Sequence, residues 1–348
     1  MAIPKLMSGV VLTGHGGPEM LSYKNDLIVL VPKANEVLIR VAAAGVNNTD
    51  INTRTAWYSK GDQDGGDASW SGEAIHFPLI QGADVCGQIV ATGSGIDKTR
   101  LGERVLIEPC IREFDGKTLD TAWYFGSECN GGFAQYTTVA SRHAYKVESA
   151  FKSTSLASFP CSYSTAENML TRANVTSADR ILVTGASGGV GSATIQLAKA
   201  RGAHVIAVTG AAKAQALLDI GADEIVDRND GYLSPLGQNS VDVVIDLVAG
   251  DRWVEILEVL RPAGRYAVAG AIAGPMVTLD IRTLYLKDLS FFGCTVLEPQ
   301  VFGNLIKRIE NRDIQPLVWE TYPLEQLTDA QASFENKQHI GKIVVTID

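Results

Sequence analysis

Short apolar runs broken by turn residues fill the first 150 positions: SGVVL, EVLIRVAAAGV, CGQIVATG, ERVLIEP and FAQYTTV, with Gly and Pro between them. Runs of that length and spacing predict a small, irregular β-barrel or sandwich. From STAENMLTRANV onward the period changes. Apolar stretches (RILVTG, HVIAVT, EIVD, VDVVIDL, RYAVAG, LSFFGCT) alternate with segments of helical period (VGSATIQLAKARG, AKAQALLDIG, DRWVEILEVLRPAG). Strands apolar throughout are buried on both faces, so the alternation predicts a parallel sheet covered by helices on each side. A helix at VFGNLIKRIENRD and β segments at LVWETY and GKIVVTI then resume the style of the first region. The expected fold class is α/β: a doubly wound domain over residues 151–297, and a β-rich domain made discontinuous by the returning C-terminal segment, 1–150 with 298–348.

Length agrees with two domains, since 348 residues exceed what one core ordinarily supports. A net charge of −9 without clustered Lys and Arg argues against nucleic-acid partners. No segment reaches the ~18 consecutive apolar residues that span a bilayer, and the opening MAIPKLMSGVVLTGHG lacks the pattern of a secretory signal, so a cytoplasmic protein without membrane contact is expected. Five scattered cysteines, with no C-x-x-C and no close His pair, read as reduced thiols and give no structural metal site.

The most informative stretch is RILVTGASGGVGSATIQLAKARG. A strand runs into Gly185, Ala186, Ser187, Gly188, Gly189, Val190 and Gly191 and then into a helix. Gly188 lets backbone approach a pyrophosphate, Gly191 permits close helix packing, and the free amides at the helix start attract the anion. The pattern is A-x-G-x-x-G, with Ala186 where the first Gly usually stands; its place between a strand and a helix is what makes it a dinucleotide site. At the end of the second strand stand Thr209 and Gly210 instead of the acidic residue that bonds the ribose of NAD, with Lys213 and Arg228 nearby. These features suit a 2′-phosphate, and NADPH is the expected cofactor; the alternative is that both cations are ordinary surface charges. Asp246 and Val248 should line the nucleotide groove at the fourth strand.

GGPEMLSY, EVLIRVAAAGVNNTDIN, GADVCGQIVATGSG, GGFAQYTTV, VTGASGGVGSATIQLAKARGA, GADEIVD and GKIVV occur in that order, and with them the chain resembles the medium-chain dehydrogenase/reductase superfamily, specifically its zinc-free quinone oxidoreductase or zeta-crystallin-like branch. The resemblance implies a GroES-like catalytic domain, a Rossmann domain, a substrate cleft between them and a homodimer joined through Rossmann edges. Positions that hold catalytic zinc in relatives fall on Asn47, on Ala83 and Asp84, and on Cys161, so no metal is expected; the four-cysteine structural lobe is also missing. Without a metal, the implied substrates are quinones, enones and other conjugated carbonyl compounds, whose developing charge neutral donors can stabilise.

The resemblance offers Asn47, Asn48, Thr49 and Tyr58 as those donors, with Thr49 also able to pass a proton to product and Asp50 as an orienting acid. For each, a hydrogen-bonded turn is the alternative. Thr165 matches a threonine that packs on nicotinamide, and Gly270, Ala271, Cys294 and Thr295 lie at strand ends where the reactive half of the cofactor should run. Two insertions, 59–77 and 111–128, bring aromatic residues that either line a pocket or anchor their own loops. Two further readings stay open: a zinc alcohol dehydrogenase, and a dinucleotide-binding protein with little turnover.

Overall fold

The computed structural model describes residues 3–60, 68–72 and 74–347. The chain forms two compact units, Met1–Cys161 with Pro316–Asp348, and Ser162–Gln315. Both unit boundaries, after Cys161 and after Gln315, lie later than those the pattern suggests. The helix Ser153–Leu156 packs on the strands Glu36–Gly45 and Cys86–Thr92 of the first unit. The helix Val301–Asn311 stays with the second, burying Val301, Phe302, Leu305, Ile306 and Ile309, while Gln196 Oε1 accepts the Gln315 N–H.

In the first unit a seven-stranded sheet is built around Glu36–Gly45, from which Val37, Leu38, Ile39, Val41 and Ala44 reach a common core. The C-terminal strand Lys342–Thr346 pairs antiparallel with it, Val344 opposite Gly45, so the last residues of the chain brace the segment that precedes Asn47. A second sheet joins Leu21–Ile28, Leu6–Leu12 and Leu79–Ile80.

Residues 110–124 form a hairpin, Cys110–Phe114 with Lys117–Tyr124, where a loop insertion was expected. Asp115 and Gly116 make its turn with φ of 53° and 71°, the pair of positive values that Asp-Gly adopts readily. Buried His143 anchors it: Nε2 accepts the backbone N–H groups of Arg112 and Glu113, and Nδ1 faces Glu108 at 3.0 Å.

The second unit is a six-stranded parallel sheet. Taking its strands in chain order as Arg180–Val183, His204–Thr209, Glu224–Asp227, Val241–Asp246, Leu260–Val268 and Ser290–Gly293, their spatial order is 3-2-1-4-5-6. That is the dinucleotide-binding doubly wound order, with its switch point beside the first strand. The expected helix DRWVEILEVLRPAG is shorter than its pattern: it ends at Val259, and Leu260 already begins the next strand. Pro262 cannot continue a helix and biases the residue before it toward extended backbone.

Candidate active site

In the first unit the chain leaves the strand Glu36–Gly45 and enters the helix Asn48–Arg54 through Asn47, its N-cap. Asp50 closes the turn by accepting the Asn47 N–H at 2.8 Å, the reciprocal half of a capping box. Asp50 is buried, and burial pushes its carboxyl up to about 7 despite the Asn47 N–H and the Lys342 charge, which favour the anion. Asp50 is thus placed to shape the helix start.

Asn47 does not serve as the donor expected of it. Its Nδ2 donates to Asp84 Oδ2 at 2.9 Å and to the Gly45 carbonyl at 3.3 Å, and its Oδ1 accepts from Lys342 Nζ. An amide with both protons engaged inside the protein has none for a ligand. Asn48 is exposed and accepts from Lys337 Nζ at 2.9 Å.

Thr49 and Tyr58 come together. The Tyr58 hydroxyl donates to Thr49 Oγ1 at 3.3 Å and accepts from Asn52 Nδ2 at 3.4 Å. With the Thr49 oxygen accepting, its own O–H is left to point at a ligand. Burial raises the Tyr58 phenol above its ordinary value, the bonds to Thr49 and Asn52 opposing, so it is a neutral donor at working pH. Asn52, which orients Tyr58, carries no signal in the sequence beyond its place six residues ahead.

The zinc positions of relatives are filled by groups of another chemistry. Asn47 is turned onto Lys342 and Asp84, Ala83 offers a methyl group, and Cys161 is a buried thiol pushed up to about 12 by burial and by the Asp84 charge. The Cys161 Sγ lies 2.9 Å from the Tyr124 hydroxyl, and Trp70 packs on Tyr124 at 4.9 Å between ring centres. Among the described residues no three His, Cys, Asp or Glu side chains converge as a metal site would require. This donor set does not fit a catalytic zinc, which needs three protein ligands.

Lys342 is the residue that sequence reasoning missed. Its ammonium is buried, 2.8 Å from both the Val46 carbonyl and Asp84 Oδ2. The signal was a single charge inside the apolar, wholly buried run KIVV, but its partner Asn47 lies 295 positions away.

Of the aromatic residues in the two insertions, Trp70 packs on Tyr124, Phe114 on Trp123 and Phe77 on His15, contacts that anchor their own loops. The remainder of the first insertion, 61–67 and 73, lies outside the described residues.

In the second unit the first strand ends at Val183, and the helix Gly189–Ala200 starts with Gly188 as N-cap. A side chain at Gly191 would stand 2.3 Å from the Gly185 carbonyl oxygen, so only glycine lets helix and turn approach this closely. At Gly188 the nearest neighbour of such a carbon is 3.6 Å away, leaving the backbone accessible to a phosphate. Gly185, with φ of 57°, faces Val248 and Leu247, and Gly270 faces the Leu247 carbonyl. The ends of the first, fourth and fifth strands therefore meet around the glycine turn, where Ala186 is buried and Ser187, Gly189 and Val190 are partly open.

Asp246 is fully buried. Its carboxylate accepts from Thr184 Oγ1, Tyr266 OH and the Val248 and Ala249 N–H groups. It lies at the end of the fourth strand with its carboxylate turned inward, holding the turn 247–249. Ala271 is partly buried, Cys294 is buried behind the Val268 carbonyl, Thr295 is exposed, and Thr165 is half-buried on the helix Pro160–Arg172.

At the end of the second strand Thr209 is buried, and the Arg228 guanidinium packs over Gly210, 3.6 Å from where a side chain would begin. Burial, and then the Arg228 charge, hold the Lys213 ammonium below its usual value, so the two cations share one locality. The carboxylate in register with Thr209, that of Asp227, accepts the Asn229 N–H.

Residues 33–149 match the model of the alcohol dehydrogenase GroES-like domain, and residues 189–311 that of the zinc-binding dehydrogenase domain. The chain belongs to the medium-chain dehydrogenase/reductase superfamily. It is an oxidoreductase of that superfamily, whose members bind nicotinamide dinucleotides and act on small molecules. Quinone oxidoreductase of Rattus norvegicus is 28% identical over 357 residues, covering 99% of this chain and 98% of the rat protein. An NAD-dependent alcohol dehydrogenase of Sulfolobus acidocaldarius is 27% identical over 358 residues, 98% of this chain and 100% of that protein. A crystal structure from Sinorhizobium meliloti, provisionally assigned as an alcohol dehydrogenase, superposes with a TM-score of 0.92 at 45% identity over 99% of this chain and 98% of its own. The superfamily therefore includes relatives of both reaction types, and among the described residues no helix is long and apolar enough to cross a membrane.

Proposed function

We propose that the protein is a zinc-independent, NADPH-dependent oxidoreductase that passes hydride to a quinone, an enone or another conjugated carbonyl compound. The observation that carries this reading is the Tyr58–Thr49 pair, a neutral donor relay next to metal positions filled by Asn47, Ala83 and a protonated Cys161. The glycine turn 185–191 would hold the pyrophosphate of NADPH, which when bound would supply the hydride. Thr49 donates to the acceptor's oxygen as charge builds there, with Tyr58 behind it to restore the proton. Conjugated acceptors suit such a site because their charge spreads into an enolate that neutral hydrogen bonds can hold, whereas an unactivated alcohol gives a localised alkoxide. The preference for NADPH is supported by Lys213 and Arg228, which share the end of the second strand, where Thr209 and Gly210 stand in place of an acidic residue.

The test is loss of NADPH absorbance against quinones, enones, enoyl thioesters and aldehydes, with NADH in parallel. Turnover of a conjugated acceptor with a lower KM for NADPH supports the reading; a clear preference for NADH refutes its cofactor half. A zinc alcohol dehydrogenase is the second reading, favoured by the 45% identity to the Sinorhizobium protein, and stoichiometric zinc in pure protein would establish it. Tight NADPH binding with no oxidation across the panel would instead favour a binding protein.

A cytoplasmic homodimer belongs to the same proposal. The edge strand Ser290–Gly293 follows a helix, Ile281–Leu286, on which Ile281, Tyr285 and Leu286 are 59%, 60% and 71% exposed, an apolar surface of the kind a partner covers. Light scattering of the pure protein checks it.

A further inference from the structure

The ammonium of Lys342 has three protons and three acceptors: the Val46 carbonyl, Asn47 Oδ1 and Asp84 Oδ2. Asp84 is complete as well, its Oδ2 shared between Lys342 and Asn47 Nδ2 and its Oδ1 accepting the Cys161 N–H. Asn47 closes the ring, with its own N–H on Asp50. Four segments distant in the chain are thus tied at one buried point: the turn 44–47, the loop 81–85, the C-terminal strand and residue 161. A buried polar network in which every group is satisfied rigidifies what it joins, and what it joins is the start of the short helix that presents Thr49 two residues later.

We propose that Lys342 is a positioning residue for the reaction, acting through Asn47 and Asp84 to fix the turn from which Thr49 meets the acceptor. It touches neither substrate nor cofactor. A helix of seven residues is too short to hold its own geometry in water, so its placement depends on how its first turn is tied down. The inference rests on Thr49 being the donor.

Replacing Lys342 alone would strand a buried carboxylate, which is strongly destabilising. The test therefore uses the neutral pair Asp84→Asn/Lys342→Met, which keeps an acceptor for the Cys161 N–H, and separately Asn47→Ala, which cuts the network at its other end. Both should fold and bind NADPH as the wild type does, since Gly188, Lys213 and Arg228 lie in the other unit. Both should lower kcat about ten- to a hundredfold, the cost of misplacing a reacting group by a fraction of an ångström to an ångström. On a Thr49→Val background the same changes should lower kcat no further; a merely structural defect would act equally on both backgrounds. Wild-type kcat in both network variants, or undiminished losses on the Thr49→Val background, would overturn the proposal. Should the wild type oxidise no NADPH at all, the functional reading fails and this inference with it; with an active wild type, hydrogen exchange over residues 44–58 is a second check, faster exchange in the variants supporting the proposal and unchanged exchange overturning it.

Discussion

Thr49→Val and Tyr58→Phe should fail by different amounts, and the difference follows from which hydroxyl meets the acceptor. Thr49 is the terminal donor, so valine, nearly the same shape, removes a hydrogen bond to an oxygen that becomes anionic in the transition state. Loss of one such donor costs about 3 to 4 kcal/mol, or about a hundred- to a thousandfold in kcat. Tyr58 acts behind it through a bond of 3.3 Å, at the long end for two hydroxyls. Deleting that neutral bond should cost about 1 kcal/mol, roughly fivefold. In the double variant the Tyr58 change should add almost nothing, because the phenol has no partner left to polarise. NADPH consumption with one good enone measures kcat for the four proteins, and fluorescence titration checks that cofactor affinity is unmoved. Full activity in Thr49→Val would refute the assignment, and losses that multiply would show that Tyr58 touches the acceptor itself.

Other outcomes can be stated from the same geometry. Gly191→Ala places a carbon 2.3 Å from the Gly185 oxygen, so it should lower Tm and abolish NADPH binding together, whereas Gly188→Ala, with 3.6 Å of clearance, should keep Tm and lose affinity only. Lys213→Ala and Arg228→Ala should each weaken NADPH binding about tenfold, the loss of one charge-assisted contact, and leave NADH binding as it was; equal effects on both cofactors would contradict the 2′-phosphate reading. Asp50 has its folded pKa raised from 3.8 to about 7, so the folded state holds the extra proton. Its contribution to stability is complete below about pH 4 and is lost as pH rises through 7, a fall of about 2 to 3 kcal/mol between pH 5 and 8. Urea unfolding at those two pH values should show a smaller fall in Asp50→Asn than in the wild type, and an identical fall would contradict it.

Much of the fold could be read from period alone. HVIAVT and EIVD form strands over the residues quoted: the first is an inner parallel strand buried from Val205 to Thr209, and the second is the edge strand beside it, where Glu224 and Asp227 are tolerated because one side of the strand is open. The hairpin at 110–124 was legible and went unread: Asp115-Gly116 is a strong turn signal, but the polar residues beside it, such as Glu113, Lys117 and Asp120, hide the strands of an exposed ribbon. The candidate site divided in the same way. Thr49 and Tyr58 lie close in sequence, and the structure brings their hydroxyls together. Asn47 was misjudged because what occupies its amide arrives from Asp84 and Lys342, 37 and 295 residues away, and no local pattern announces partners at those separations. Asp246 ends the fourth strand, but its orientation depends on Thr184 and Tyr266, which periodicity does not describe.

As proposed, this chain reduces a conjugated acceptor with its own hydroxyl groups and no metal. The most direct measurement is the NADPH oxidation rate with a reactive enone or quinone, on protein dialysed against a strong chelator and shown by elemental analysis to be free of zinc. Full turnover is expected, unchanged on adding zinc and abolished to within a few per cent by Thr49→Val. Turnover lost with the metal and restored by zinc would contradict it.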